Sequence, residues 1–208
     1  MISTTDDRFL VPMAEYDNLV SSYIKDSIGC ITHTLQDESF VDNVMQLSTK
    51  IIDVLSSGGK ILIAGNGGSA ADAQHFAAEL VSRFLIDSRP YAAISLTTDT
   101  SAITAISNDY GYDLVFSRQL EALASSNDLF VAITTSGKSP NILKALKTAR
   151  ELGLSVCSFT GSQGLSEPSL SKLNIRASST STPQIQEVHI IAIHLVCALV
   201  ESNLSAIS

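Results

Sequence analysis

The sequence predicts an α/β protein with a three-layer, doubly wound, parallel sheet of five strands. Two observations support this fold class. Five short apolar runs alternate with segments of helical periodicity along the 208 residues, an alternation typical of parallel sheets with helical crossovers. Two of the runs lead into loops rich in small and hydroxyl residues, each followed at once by a helix. Because no repeat or linker interrupts the pattern, we predict a single domain over residues 1–208.

The N-terminal quarter is predicted to add helices in front of the first strand. Residues 1–14 read as a loose lead-in. Apolar stripes predict helices over Tyr16–Leu35 and Asp37–Leu55, and the Ser56–Gly59 run ends the second one. Two such helices exceed what a doubly wound sheet needs, so we expect residues 15–57 to pack on another subunit.

The central stretch of the chain combines a strand, a glycine-rich turn and a helix. The apolar run Ile61–Ala64 predicts a buried strand, and the glycines of residues 65–68 allow the backbone to approach a ligand closely. Ser69 is predicted as the N-cap of the next helix, with Asp72 completing a capping-box-like start. The turn matches neither of the common nucleotide-binding glycine motifs, so alone it is weak evidence for phosphate binding.

His75 and Glu79 lie four residues apart and therefore on one face of the predicted helix. Such a pair is usually solvated. The residues around these two are nearly all apolar, which favours a cleft rather than an open surface.

The remaining elements complete the alternation of strands and helices. Further strands are predicted over Ala92–Leu96, Leu129–Thr134, Leu154–Phe159 and Leu173–Arg176. Further helices are predicted over residues 100–107, Tyr112–Leu123, Asn141–Leu152 and Gln184–Glu201, with a break at Asn108–Gly111.

A second candidate loop follows the predicted strand that begins at Leu129. Residues 134–139 are rich in hydroxyls, Ser139 fits an N-cap and Pro140 fits the first helical position. Hydroxyls beside a helix N-terminus bind phosphate well, although an ordinary polar loop reads the same way. Both candidate loops follow the carboxyl ends of strands, where ligands bind in such sheets.

The last helix carries two histidines in an apolar context. Gln186 and His194 are eight residues apart and face the same way, whereas His189 points elsewhere. A single histidine on such a helix is more often a satisfied core residue than a ligand.

Composition excludes several classes of partner. The net charge is −8 with no basic run, which argues against nucleic acid and anionic membrane surfaces. No apolar run approaches the about 20 residues of a membrane span, and no secretory signal precedes the first helix, so we expect a cytoplasmic protein. The isolated Cys30, Cys157 and Cys197 are predicted to be reduced core residues.

Four motifs, in order and spacing, resemble the phosphoheptose isomerase family of the sugar-isomerase (SIS) fold, a flavodoxin-like architecture. They are GNGGSAADAQHFAAEL, LTTDTSAITAISNDYGYDLVFSRQLEAL, TTSGKSPNILKAL and IQEVHIIAIH. The resemblance runs from about Ile61 to Val200, and the leading helices also fit.

The resemblance implies a homotetramer with shared active sites that converts sedoheptulose 7-phosphate into D-glycero-D-manno-heptose 7-phosphate, the first step toward lipopolysaccharide heptose. It implies one zinc ion per subunit, bound by His75, Glu79, Gln186 and His194, a ligand set that suits zinc. It also implies substrate contacts from Asn66, Gly67, Gly68, Ser69, Glu79, Asn108, Asp109, Thr134, Thr135, Ser136, Ser139 and Gln186.

The chemistry of an aldose–ketose shift agrees with these residues. The reaction passes through an enediol and needs a carboxylate base and an acid at the oxygen. The resemblance implies Glu79 as the base and His194 as the acid. Ligation and acid–base duty compete for the same lone pairs, which leaves open whether zinc is catalytic or organises the site.

The sequence departs from the family pattern before the last helix. The run TSTPQIQE has Thr180 and Ser181 in place of two acids and Gln184 in place of an arginine, and Thr134 stands where serine is usual. Because the first of these segments borders the site, substrate preference or subunit docking can differ.

Two other function classes compete with the isomerase. The related replication-initiator-associating protein is a non-catalytic tetrameric binder that lacks the carboxylate and the imidazole matching Glu79 and His194. This sequence keeps both, which favours the enzyme. Sugar-phosphate-sensing regulatory modules usually accompany a DNA-binding domain, for which we see no room here.

Overall fold

The structure is a computed structural model that describes residues 13–205. The lead-in predicted for residues 1–14 therefore lies outside the described residues as far as residue 12, and its last two residues belong to the first helix. The seven α-helices of the described range are α1 Met13–Leu35, α2 Glu38–Ser56, α3 Gly68–Val81, α4 Thr100–Tyr110, α5 Ser117–Leu123, α6 Pro140–Glu151 and α7 Thr182–Ser205.

Five strands form one parallel sheet with the order β2-β1-β3-β4-β5. This is the flavodoxin-like order of a doubly wound sheet, so the predicted fold class is confirmed. The strands are β1 Ile61–Gly65, β2 Ala93–Ser95, β3 Leu129–Ile133, β4 Ser155–Thr160 and β5 Leu173–Arg176. Every residue of β1 and β3 is buried, as expected for central strands that are covered on both faces.

Alternation along the strands divides the core into two halves. Ile61 and Ile63 face a cluster built with α2, α3 and α7. Leu62 and Ala64 face a second cluster built with α5 and α6. Successive strand residues point to opposite faces, and the result is a sheet between two helical layers.

Three local predictions are wrong. α3 begins at Gly68 with Gly67 as its N-cap residue, so Ser69 is not the N-cap and the capping box with Asp72 does not form. Gly67 has φ +58, a backbone conformation that ends the turn two residues earlier than predicted.

The predicted break at residues 108–111 is also misplaced. α4 continues to Tyr110, and Gly111, with φ +93, ends it. The predicted helix over residues 112–123 divides into a 3₁₀ turn and α5. Val115 and Phe116, between the two pieces, are both buried.

α7 is the described helix whose length and apolar composition would suffice to cross a membrane, which the sequence analysis did not foresee. Half of its most apolar window is buried inside the protein, and it packs against α1, α2 and α3. These contacts are typical of a core helix. All three cysteines are buried and free, as predicted.

Candidate active site

A cavity of about 250 Å³ lies where β1 and β3 meet, which is the point where the strand order reverses. The helices that follow these two strands, α3 and α6, both point their N-termini toward it. Neither N-cap residue, Gly67 or Ser139, makes a side-chain capping hydrogen bond. Free N–H groups at a helix start, together with the helix dipole, bind anions. The cavity is lined by Asn66, Gly67, Gly68, Ser69, Ile133, Thr134, Thr135, Ser139, Thr182 and Gln186.

The glycine turn lets α3 and α7 approach each other closely. A Cβ atom at Gly68 would lie 2.2 Å from Nε2 of Gln186, so any side chain at this position would push the amide away. This contact holds Gln186 in the wall of the cavity. Thr182, the first residue of α7, lines the same cavity, and the segment that departs from the family pattern therefore does border the site.

The hydroxyl loop is braced from behind by residues 161–166. The backbone N–H of Gly161 donates to the carbonyl oxygen of Thr135 at 3.1 Å, and that of Ser166 donates to Gly137 at 3.0 Å. Gly137 has φ +66, and a Cβ there would overlap the carbonyl oxygen of Gly164. The loop thus has one fixed shape around the cavity.

Some hydroxyl residues of this loop line the cavity and others do not. The hydroxyls of Thr134 and Ser139 lie 3.2 Å apart at its wall, and Thr135 also lines it. Ser136 is exposed and accepts a hydrogen bond from the backbone of Lys138, and it does not line the cavity in the described subunit.

An amide network that the sequence analysis missed fixes Asn66. The side chains of Asn66 and Asn141 exchange two hydrogen bonds of 2.9 Å. The hydroxyl of Tyr112 donates to the same Asn66 oxygen at 2.9 Å. Asn141 is 2% exposed and follows Pro140 on the first turn of α6. The signal available in the sequence was an asparagine directly after Pro140, at the predicted start of a helix.

Asn108 and Asp109 do not reach this cavity in the described subunit. They lie on the exposed last turn of α4, where the amide of Asn108 donates to the Asp109 carboxylate at 2.7 Å. Their predicted contact with substrate stays a prediction.

Two imidazoles and a carboxylate converge beside the cavity. Nε2 of His75 lies 3.0 Å from Nε2 of His194 and 3.1 Å from Oε1 of Glu79. A ring nitrogen carries at most one hydrogen, so the two contacts of His75 compete for one proton. Such a convergence of nitrogen and oxygen lone pairs can exchange protons with a ligand or hold a cation.

α3 and α7 run in parallel, and this arrangement separates Gln186 from the histidine pair. Gln186 contacts α3 at Gly68, and His194 contacts it at His75. At a rise of 1.5 Å per residue, these two contacts are about 10 Å apart along α3. No hydrogen bond joins Gln186 to either histidine. The structure therefore brings together three of the four predicted zinc ligands and places the fourth at the cavity.

Phe84 and Glu201 support His194. The Phe84 ring stacks on His194 with 5.5 Å between centroids and 27° between planes. The buried carboxylate of Glu201 accepts backbone N–H groups from Phe84, Leu85 and Ile86 at 2.8–3.0 Å. It thereby fixes the segment that carries the stacking ring.

His75, Glu79 and His194 offer the nitrogen and oxygen donors that zinc binds. Among residues 13–205, no ready-made cluster of three or more His, Cys, Asp or Glu side chains is arranged to hold a metal ion. The ligands of a tetrahedral zinc ion lie about 3.3 Å apart, given bonds of about 2 Å. The separations of 3.0 and 3.1 Å from His75 are slightly smaller, so small movements of His75, Glu79 and His194 would suffice, whereas Gln186 would have to move toward them from the cavity. The donor chemistry fits.

Asp72 lies on α3 between the glycine turn and His75. Its Oδ2 atom is shielded from solvent and, within residues 13–205, has no hydrogen-bond partner. Burial raises the pKa of this carboxyl from 3.8 to about 6, and the nearby His75 opposes the shift.

A larger groove of about 810 Å³ lies at the other end of the sheet, against α2 and the starts of β4 and β5. It mixes basic side chains such as Lys50 and Lys172 with acidic ones such as Asp42 and Asp53. None of the described residues that line it is a histidine or a glycine. The smaller cavity, rather than this groove, therefore has the chemistry of a site.

The fold and the cavity define the class to which the protein belongs. A family model described as the SIS domain matches residues 22–161, which is more than half of the chain, and it includes both the glycine turn and the hydroxyl loop. The protein is an SIS-domain protein.

Individual relatives within this class identify the family. Phosphoheptose isomerase from Bradyrhizobium sp. is 47% identical over 188 residues, covering 90% of this chain and 95% of the relative. Phosphoheptose isomerase from Aneurinibacillus thermoaerophilus is 48% identical over 185 residues, covering 89% and 93%. The structure of phosphoheptose isomerase from Neisseria gonorrhoeae matches with a TM-score of 0.83 and 39% identity, covering 89% of this chain and 99% of that one. The chain belongs to the phosphoheptose isomerase family, as its motifs predicted.

Proposed function

We propose that this protein isomerises sedoheptulose 7-phosphate to D-glycero-D-manno-heptose 7-phosphate. One observation carries the proposal: two helix N-termini without side-chain caps meet at a hydroxyl-lined cavity, and a carboxylate and two imidazoles converge beside it. The first feature suits the phosphate of the substrate, and the second suits proton transfer at its carbonyl end. The names of the relatives support the same reaction.

The phosphate would bind in the cavity between the glycine turn and the hydroxyl loop. None of the described residues that line it is basic. Recognition therefore rests on backbone N–H groups, on the hydroxyls of Thr134, Thr135 and Ser139, and on the dipoles of α3 and α6. These donors are fixed before binding, because residues 161–166 and the Asn66–Asn141 pair hold both loops.

The carbonyl end of the substrate would then reach Glu79 and His194. In the ketose-to-aldose direction, the Glu79 carboxylate takes a proton from C1, and the electron pair forms the enediol double bond between C1 and C2. The same carboxyl returns the proton to C2. His194 donates a proton to O2 and takes up the O1 hydroxyl proton as the C1 carbonyl forms. Positioned acids and bases of this kind contribute about 10² to 10⁴ in rate.

We propose that His75, Glu79 and His194, with Gln186 after a side-chain movement, hold one zinc ion per subunit. The chemistry that a bound zinc ion supplies is Lewis-acid polarisation of a carbonyl oxygen. Metal analysis of the purified protein should give one zinc per subunit, and His75→Ala should lose it. The matched control is His33→Ala, which removes an exposed histidine of α1. Full zinc content in His75→Ala would contradict the ligand set.

We further propose a cytoplasmic homotetramer in which α1 forms part of the subunit interface. The outer face of α1 exposes large apolar side chains, which usually mark an interaction surface: Leu19 62%, Val20 56%, Ile24 52% and Ile28 57%. Light scattering should give a tetramer, and the double change Ile24→Asp and Ile28→Asp should dissociate it. Lys25→Ala, on an exposed position of the same helix, is the control.

The reaction is tested directly by NMR with sedoheptulose 7-phosphate and zinc-supplemented protein. We expect aldoheptose 7-phosphate to form, and we expect Glu79→Gln to lose at least about 10²-fold in kcat, because it removes the base. Glu121→Gln, a change of an exposed carboxylate on α5, should behave like the wild type. No turnover by a tetrameric, zinc-loaded wild type would reject this substrate and favour the non-catalytic binder.

A further inference from the structure

Asp72 carries a buried carboxylate oxygen that the fold does not use. Its Oδ2 atom is shielded from solvent and has no hydrogen-bond partner among the described residues. Glu201, by contrast, has three backbone N–H donors. An unpaired buried acceptor destabilises a protein, and the charge of the nearby His75 is the favourable interaction that the described residues offer this carboxylate.

The position of Asp72 on α3 places it between the two halves of the site. Gly68, Asp72, His75 and Glu79 follow a spacing of four, three and four residues, so they share one face of the helix. Gly68 borders the anion cavity, and His75 contacts His194. Asp72 lies about 6 Å along the axis from the first and about 4.5 Å from the second.

We propose that Asp72 is a substrate-binding residue whose carboxylate accepts a hydrogen bond from a hydroxyl in the middle of the sugar chain. This inference rests on the proposed function. A phosphosugar that has its phosphate in the cavity and its carbonyl at Glu79 must cross the stretch of α3 that Asp72 occupies.

The chemistry of the carboxylate selects a hydroxyl as its partner. An ionised carboxylate only accepts hydrogen bonds, and it repels a phosphate group. The hydroxyls of a polyol chain are donors, and they are the groups that lie between the phosphate and the carbonyl of a heptose phosphate. Asp72 would therefore recognise the sugar chain, whereas the cavity binds the phosphate.

Two substitutions test this role, Asp72→Asn and Asp72→Ala. We expect KM for sedoheptulose 7-phosphate to rise about tenfold to hundredfold, which matches the loss of one charged hydrogen bond, while kcat changes less. Inorganic phosphate, which can occupy only the cavity, should inhibit both variants with the wild-type constant. The melting temperature of Asp72→Ala should stay the same or rise, because an unpaired buried acceptor is removed. Gln74→Ala, two residues away on the opposite face of α3, is the matched control.

The outcomes separate this inference from the proposed function. A wild type that does not turn over the substrate overturns both. Wild-type turnover together with an unchanged KM in both Asp72 variants overturns only the role of Asp72. A lower melting temperature of Asp72→Ala, or loss of zinc from Asp72→Asn, would also overturn it, because Asp72 would then support the fold or the metal instead of the sugar.

Discussion

The two histidines of α7 have the same side chain on the same helix but opposite surroundings. His189 is 0% exposed, and its Nε2 faces the carbonyl oxygen of Thr160 at 3.1 Å. His194 is partly exposed and faces the second imidazole of the site. Each has a phenylalanine neighbour at 5.5 Å, an edge contact from Phe159 in the core and a stacked ring from Phe84 at the site.

The difference shows that the helix face, and not the residue type, decides what a histidine can do. Burial lowers the pKa of His189 from 6.5 to about 4, although its hydrogen bond to Thr160 opposes the shift. This ring therefore stays neutral and serves packing. Five residues further on, the helix face has turned toward α3, and His194 meets groups with which it can exchange a proton.

The largest effect on activity is expected for a substitution of His194. His194→Gln introduces an amide of similar size and removes both the acid and one proposed zinc ligand, so we expect kcat to fall by about 10² to 10⁴. The melting temperature should change little, because the ring is only partly buried. Steady-state kinetics with calorimetry on the same preparation measures both. A large loss of stability with normal kcat would reverse the roles of the two histidines.

Substitution of His189 should have the opposite signature. His189→Ala leaves a cavity between α7 and the sheet, and we expect the free energy of unfolding to fall by about 3 kcal/mol. The carbonyl of Thr160 keeps a second donor, the backbone N–H of Ala177, which limits the loss. Denaturant titration measures the change, and kcat per folded enzyme should stay within a factor of about two. A loss of kcat comparable to that of His194→Gln would contradict the structural role.

Much of this contrast was predictable from the sequence, because it depends on spacing along one helix. The 3.6-residue period separates His189 from Gln186 and His194, and the buried apolar runs located the strands within a residue or two, with β5 placed at its observed bounds. Hydrophobic periodicity is strong for such buried elements.

Features that depend on how elements meet were not predictable. The pairing of Asn66 with Asn141 joins residues 75 positions apart, and no local pattern encodes it. α3 begins at Gly68, after Gly67 with its positive φ and in close contact with Gln186 of α7, whereas Ser69 carried the stronger local capping signal. Zinc and the tetramer stay predictions, because both depend on partners that one chain does not contain.

The pH dependence of stability sharpens the comparison further. Between pH 6.5 and about 4, unfolded chains protonate His189 while the folded state does not, so the free energy of unfolding rises with pH. The stabilisation is complete above pH 6.5 and is lost as the pH falls. It amounts to about 2 kcal/mol between pH 6.5 and 5, at 1.36 kcal/mol per pH unit.

The raised pKa of Asp72 acts in the opposite direction between pH 3.8 and about 6, so the wild-type curve alone does not isolate His189. Denaturant titrations at several pH values should be compared with those of His189→Leu, which fills the space without titrating. The difference between the two curves should slope upward with pH. A flat difference would mean that His189 protonates equally in both states.

The smallest expected effect concerns the ring that stacks on His194. Phe84→Leu keeps an apolar side chain but removes the stacked face, an interaction of about 0.5–1.5 kcal/mol. If this ring holds the imidazole in its working orientation, kcat should fall by about twofold to tenfold with KM nearly unchanged. Leu85→Ala, at the neighbouring position, which is 71% exposed, is the control. Wild-type kcat in Phe84→Leu would mean that the contact with His75 alone orients His194, and that the two phenylalanine neighbours are equivalent packing partners.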